Sequence, residues 1–155
     1  MHSPHDHEMI KANSENGQAS AIKYLNFNRK ITALASGNLS PKSDAGPPVD
    51  ALFVGTQSNL LSYDVERNAD FFYTEVQDGV NALIVGKMGR NSQPMVIAGG
   101  NCSILGFDGK GNETFWTVTA DNVSSLALCD VHANKIPMLL VGSDDLIEAM
   151  LPWSE

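Results

Sequence analysis

The chain alternates short apolar runs with short polar, glycine-bearing patches, and it does so twice in almost the same words. "ALFVGTQSNLLSYD" (51–64) is an apolar run, a glycine, a polar patch, a second apolar run and an aspartate. "MVIAGGNCSILGFD" (95–108) repeats that order, and "MLLVGSDD" (138–145) begins it a third time. Aligned on the glycine that closes the first run, Gly55, Gly99 and Gly142 recur at steps of 44 and 43 residues. "FFYTEV" (71–76) and "FWTVTA" (115–120) keep a step of 44, and "VNALIV" (80–85) and "VSSLAL" (123–128) a step of 43. An earlier relative of the last pair, "ITALAS" (31–36), is set further off by "GNLSPKSDAGPPVD", a Pro/Gly/Ser-rich stretch that predicts a surface loop.

Each unit therefore holds four short β-type segments. "ALFV" and "MVIA" are continuous apolar runs, as in strands covered on both faces. "TFWTVT" alternates, as in an outer strand with one wet face, and the Asp-Gly of "FDGKGNE" is a hairpin signal. Four strands per unit at this period predict β-propeller blades, because a lone four-stranded sheet cannot bury both faces and stacked blades bury one another. A β-sandwich would have to reproduce the common period by coincidence. The expected fold is all-β: a partial β-propeller of about two complete four-stranded blades plus parts of two others. "IKYLNF" (22–27) reads as the tail of one blade. "LIEAMLPWSE" lacks the aromatic–Asp ending of Tyr63-Asp64 and Phe107-Asp108, so no further strand is expected after Asp145. The boundaries predicted are a polar tail over 1–20, blades over 21–145 and a divergent end over 146–155. A closed propeller needs at least four blades, so the sequence is expected to belong to a longer protein and to be poorly soluble alone.

Composition narrows the function classes. Of 155 residues, 43% are hydrophobic and 18% charged, with a formal net charge of −8. No Lys/Arg cluster offers a phosphate backbone anything to neutralise, so nucleic-acid binding is not expected. No apolar run is long enough to span a bilayer, and the first twenty residues lack the apolar core of a secretory signal. The four sequons at Asn38, Asn101, Asn112 and Asn122 accordingly read as turn residues. Cys102 and Cys129 read as small buried apolar groups rather than a disulfide.

The strings "DALFVGTQSNLLSYDVERNADFFYTEV", "IAGGNCSILGFD", "FWTVTADNVSSLALCD" and "LLVGSDD" resemble the N-terminal propeller of the Bardet–Biedl syndrome 2 protein family, from about residue 22 to 145. The resemblance implies a non-enzymatic subunit of the BBSome, a coat-like complex that moves membrane proteins into and out of cilia. It implies other BBSome subunits as partners, above all the paralogous propeller subunit that is seventh in the complex. It also implies location at the cilium, the ciliary basal body and the cytoplasm, with membrane association only through the complex.

No residue pattern argues for catalysis or a cofactor. Gly55, Gly99, Gly142, Phe72, Trp116, Asp64 and Asp108 are expected to be structural blade anchors. Trp116 follows Asp108 by eight residues with Gly111 between, a spacing similar to the blade motif of quinoprotein dehydrogenases. With Phe72 standing 44 residues earlier, the pair is expected to pack between blades. Asp130, His132 and Asn134 occupy alternate positions of a loop that carries calcium in other propellers, but they supply too few oxygens for a hard cation. His2, His5 and His7, beside Asp6 and Glu8, read as a solvated tail, since a metal site needs a scaffold. The competing class is a propeller enzyme of the quinoprotein or glycosidase kind, which would place ionisable groups on the innermost strands. There "NALIVG" and "SSLALC" offer only Asn81, Ser124 and Ser125 as polar members, which favours a scaffold.

Overall fold

A computed structural model describes residues 8–11, 23–39, 49–90 and 93–151, and the chain divides into two units, 1–30 and 31–155. In the first, β1 (Glu8–Lys11) pairs antiparallel with β2 (Lys23–Asn26), Met9 opposite Leu25. β2 falls on the expected "IKYLNF" segment. β1 lies inside the stretch read as a polar tail, and the pairing satisfies backbone groups that either strand alone would leave open. His2, His5 and His7 lie outside the described residues.

The second unit is a run of hairpins. β3 (Ala33–Gly37), β4 (Ala51–Gly55), β5 (Asn59–Asp64) and β6 (Ala69–Glu75) form one antiparallel sheet in chain order. β7 (Ala82–Gly86), β8 (Met95–Gly99), β9 (Ser103–Phe107) and β10 (Glu113–Val118) form the next, and β11 (Ser125–Cys129), β12 (Met138–Gly142) and β13 (Ile147–Met150) the third. The first strands β3, β7 and β11 are neighbours. This is the propeller arrangement, with two four-stranded blades and one of three described strands. β13 corrects the expectation that no strand follows Asp145. Its turn is closed by Ser143 N–H donating to Leu146 O (2.9 Å), as Thr56 and Gly100 donate to Asn59 O and Ser103 O in the earlier copies. The aromatic–Asp ending is thus not what makes this strand.

Two apolar clusters hold the three sheets together. Phe53, Leu60, Phe72, Val80, Val96 and Phe107 belong to the cluster between the first and second sheets. Ile97, Ile104, Val123, Leu139 and Val141 belong to the one between the second and third. Adjacent residues of β8, Val96 and Ile97, enter opposite clusters, which is why this strand reads as an unbroken apolar run.

The anchor role expected of Trp116 is not supported. Phe72 is 9% exposed and Trp116 58%. Both outer strands carry a bulge: Ser62 faces Phe72 with Phe71 skipped, and Gly106 faces Phe115 with Thr114 skipped. The strand register therefore equates Phe72 with Phe115, a step of 43 rather than 44. The turn before β10 is one residue shorter: Asp64 pairs with Ala69, whereas Asp108 N–H donates to Asn112 O. A slip of one residue moves a side chain to the other face of its strand. Phe115 accordingly packs on the second cluster, and Trp116 stands in solvent. Cys102 and Cys129, expected to be buried, are both exposed. Cys102 sits in the β8–β9 turn, and Cys129 lies on the face of β11 turned away from the second sheet, opposite Met138.

Candidate functional site

The repeated glycines sit where the next blade enters. A Cβ on Gly55 would lie 2.7 Å from Val80 Cβ, and one on Gly99 2.9 Å from Val123 Cβ. Val80 and Val123 each stand two residues ahead of the next blade's first strand. The ends of β3 and β7 repeat the device: Cβ atoms on Gly37 and Gly86 would each lie 2.5 Å from Val85 and Leu128 methyl carbons. Real Cβ contacts do not close so far, so a methyl at any of these positions would have to displace its neighbour from the next blade. Gly142 ends β12 in the same way, but a Cβ there would meet only Ser125 of its own sheet.

Aspartates close the turns. Asp64 Oδ1 accepts from the Glu66 and Arg67 N–H groups (3.1 and 3.2 Å), and Asp108 Oδ1 from those of Lys110 and Asn112 (both 2.9 Å). Burial pushes the Asp108 carboxyl up, but the Asn112 and Lys110 donors outweigh it and hold the group below the usual carboxylate range. Asp130 accepts from the Asn134 N–H on one oxygen (2.9 Å) and the Lys135 N–H on the other (2.8 Å), so both oxygens of the eroded loop serve the backbone. Among the described residues no three His, Cys, Asp or Glu gather as metal ligands. Just ahead of the inner strands, Asn81 donates to Asn101 Oδ1 in the β8–β9 turn (3.2 Å) and Ser124 to Gly142 O at the end of β12 (3.0 Å), each within its own sheet.

Asp78, which the sequence reading did not single out, fastens the first blade's exit to the second. Its Oδ2 accepts from Cys102 N–H (2.8 Å) and Ser103 Oγ–H (2.7 Å), and its backbone O from Asn101 N–H (3.2 Å). Burial pushes its carboxyl up. The Cys102 N–H, Ser103 hydroxyl, Cys102 thiol and Asn101 N–H together outweigh burial and hold the carboxyl below the usual range. The same carboxylate charge pushes the Cys102 thiol up. A carboxyl whose folded value lies below its ordinary 3.8 stabilises the fold above that value, and the contribution disappears as pH falls through the folded one. Asp78→Asn is therefore expected to cost about 1–2 kcal/mol at pH 7 and much less near pH 2, read by urea unfolding at both values.

A cavity of about 710 Å³ opens between the first two blades at the end that carries the β3–β4, β7–β8 and β9–β10 connections, lined by Leu39, Val49, Phe71, Pro94 and Lys110 among others. No helix among the described residues is long and apolar enough to cross a membrane.

Comparison with known proteins decides what these blades belong to. Residues 1–86 match the family model described as "Ciliary BBSome complex subunit 2, N-terminal". The chain belongs to the BBSome subunit 2 family. The relative called "BBSome complex member BBS2" from Danio rerio is 52% identical over 132 residues, 85% of this chain and 18% of that protein. The Homo sapiens protein of the same description is 45% identical over 148 residues, 94% of this chain and 20% of the relative. "BBSome complex member bbs-2" of Caenorhabditis elegans is 39% identical over 121 residues, 78% and 16% of the two chains. The chain thus spans about a fifth of the BBSome subunit 2 relatives it matches. A solved structure described as BBS1N in complex with ARL6DN, soaked with lead, aligns with a TM-score of 0.38 at 12% identity, covering 86% of this chain and 51% of that one.

Proposed function

We propose that this chain is a non-catalytic part of the BBSome, serving the ciliary traffic of membrane proteins through contacts with the other subunits. The observation that carries the reading is family membership at 45–52% identity to proteins described as BBSome members. The arrangement of the blades is compatible with it, since their polar residues are spent on turns and blade junctions. Within that role Gly55, Gly99, Gly142, Phe72, Asp64 and Asp108 act as blade anchors that keep a rigid surface in place. The principal partner is the paralogous propeller subunit seventh in the complex, and the sites of action are the cilium, its basal body and the cytoplasm. Membrane contact is made by the assembly and not by this chain. Affinity purification of the tagged endogenous product, followed by mass spectrometry, tests the proposal. Other BBSome subunits, the seventh among them, are expected in near-stoichiometric amounts. Recovery of chaperones alone would overturn it.

A further inference from the structure

The outer strand of the second blade presents an apolar sheet edge that its counterpart in the first blade does not. β10 is the outermost strand of its sheet and, among the described strands, pairs with β9 alone, so alternate backbone N–H and C=O groups point outward. Such edges are ordinarily protected by lysine or proline, and "ETFWTV" holds neither. The repeat supplies the comparison. Leu61 and Leu105, 44 residues apart, pair with Tyr73 and Trp116, while Asn59 and Ser103 pair with Glu75 and Val118. Tyr73 is half-buried and Glu75 is charged, whereas Trp116 and Val118 are apolar and 58% and 61% exposed. The pairing also fixes their face. Leu105 packs on the cluster between the first two sheets, so Trp116 and Val118 look into the gap between those blades. Phe71, 46% exposed, stands in the same gap, where it lines the cavity together with Thr114 of β10. A groove beside β10 therefore starts at the cavity and runs to Val118.

The two ends of this groove differ in charge. At the Val118 end, the hydroxyl of its pairing partner Ser103 donates to Asp78 (2.7 Å), the Ala120 N–H donates to Glu148 (3.0 Å), and Asp121 follows in the chain. Among the described residues from Ile31 to Leu151 the lysines and arginines are Arg67, Lys87, Arg90, Lys110 and Lys135. All of them stand in connections at the opposite end of the blades. Three carboxylates thus border the Val118 end with no cation of these blades at that end. We propose that the edge of β10 takes up an extended segment of another polypeptide as a fifth strand of the blade. That segment is aliphatic at the alternate positions beside Trp116 and Val118, and it carries lysine or arginine where it passes the end of β10. Main-chain pairing supplies affinity, and the alternate side chains supply selectivity. A second copy of this chain fits badly. Two β10 edges paired antiparallel would bring Glu113 of one to the Val118 end of the other, and paired parallel they would set like carboxylates together. The inference does not rest on BBSome membership, because the segment is defined by its chemistry.

Photocrosslinking tests it. The tagged endogenous product carries p-benzoylphenylalanine in place of Trp116, intact cells are irradiated, and the crosslinked peptide is identified by mass spectrometry. A crosslink to another polypeptide is expected, within a segment that alternates aliphatic residues and adjoins a lysine or arginine. Crosslinks confined to this chain or to a second copy of it would overturn the proposal, as would a partner segment without a basic residue, or no crosslink at all. Substitution at Val118 gives a second readout in the same crosslinking product. Val118→Lys is expected to lower the crosslink yield at least tenfold and Val118→Glu by less, with the melting temperature unchanged in both because the position is exposed. Equal losses would count against a basic occupant, and an unchanged yield in both against pairing at this edge. A crosslink that persists while BBSome subunits are lost from the purification would sink the assembly reading and leave this one standing.

Discussion

Phe72→Ala is expected to lower the unfolding free energy by about 3–5 kcal/mol, while Trp116→Ala changes it by less than about 0.5 kcal/mol. Phe72 stands in a ladder of rings, its centroid 6.5 Å from Phe53 and 6.5 Å from Phe107, so it joins two strands of its own blade's cluster to the next blade. The β9–β10 turn closes over it: a Cβ on Gly111 would lie 2.8 Å from the Phe72 ring, and Gly111 has a φ of 85°. Both demands, space and a left-handed backbone, are met by glycine. Truncating Phe72 therefore empties a volume bounded by two aromatic rings and a tight turn, which cannot collapse to fill it. Trp116, 58% exposed, loses little when cut back. Urea unfolding of both variants is the measurement. A Trp116→Ala cost equal to that of Phe72→Ala would show that the register assigned to β10 is wrong.

Gly55→Ala is expected to cost about 1–3 kcal/mol by overpacking, and Val80→Ala introduced with it is expected to recover part of that loss. The new methyl would press on Val80, which is 0% exposed and has no open space to retreat into. Val80 is also pinned through its backbone, donating to Thr56 O (3.0 Å) and accepting from Thr32 Oγ1–H. Relief has to come from the side chain, so the two substitutions couple. A double-mutant cycle on unfolding free energies is expected to give an interaction term of at least about 0.5 kcal/mol, with the pair more stable than the sum of the singles predicts. Strict additivity would mean that Gly55 is kept for its backbone and not for the socket.

The strands of the blades were legible because their chemistry is local. Unbroken apolar runs marked β4 and β8, and the recurring glycines marked where each ended. What escaped was set by counts that differ between copies. The turn after Asp108 is one residue shorter than the turn after Asp64, and a step of 44 carried through it lands on Trp116 instead of Phe115. β13 was missed because "IEAM" lacks the aromatic–Asp ending, whose aspartate caps the following turn and has no part in the pairing with β12. The Asp78 clasp had a signal, since "QDGV" and "ADNV" put Asp78 and Asp121 one period apart. Only Asp78 meets donors across the junction. Asp121 accepts from its neighbour Asn122 (2.7 Å), and the turn of the third sheet puts Asp145 and Leu146 where the second puts Cys102 and Ser103, so the donor hydroxyl is missing and a carboxylate faces the carboxylate. The cysteines were misplaced because composition says how such residues usually lie, whereas exposure depends on which face of β11 and which turn they occupy.

The residue that locks each junction is also the residue that begins the next blade. Val80 reaches back 25 positions to Gly55, and Val123 reaches back 24 to Gly99, so every blade–blade latch closes over a short stretch of chain. Contacts of that range form early and quickly. On a ribosome adding about 5–20 residues per second, one period of about 44 residues takes roughly 2–9 seconds. Each newly finished blade can then be clamped by the first few residues of its successor, before the successor's own sheet exists. The stack grows from its N-terminal side by one repeated step, each blade waiting only until its successor's first residues have been made.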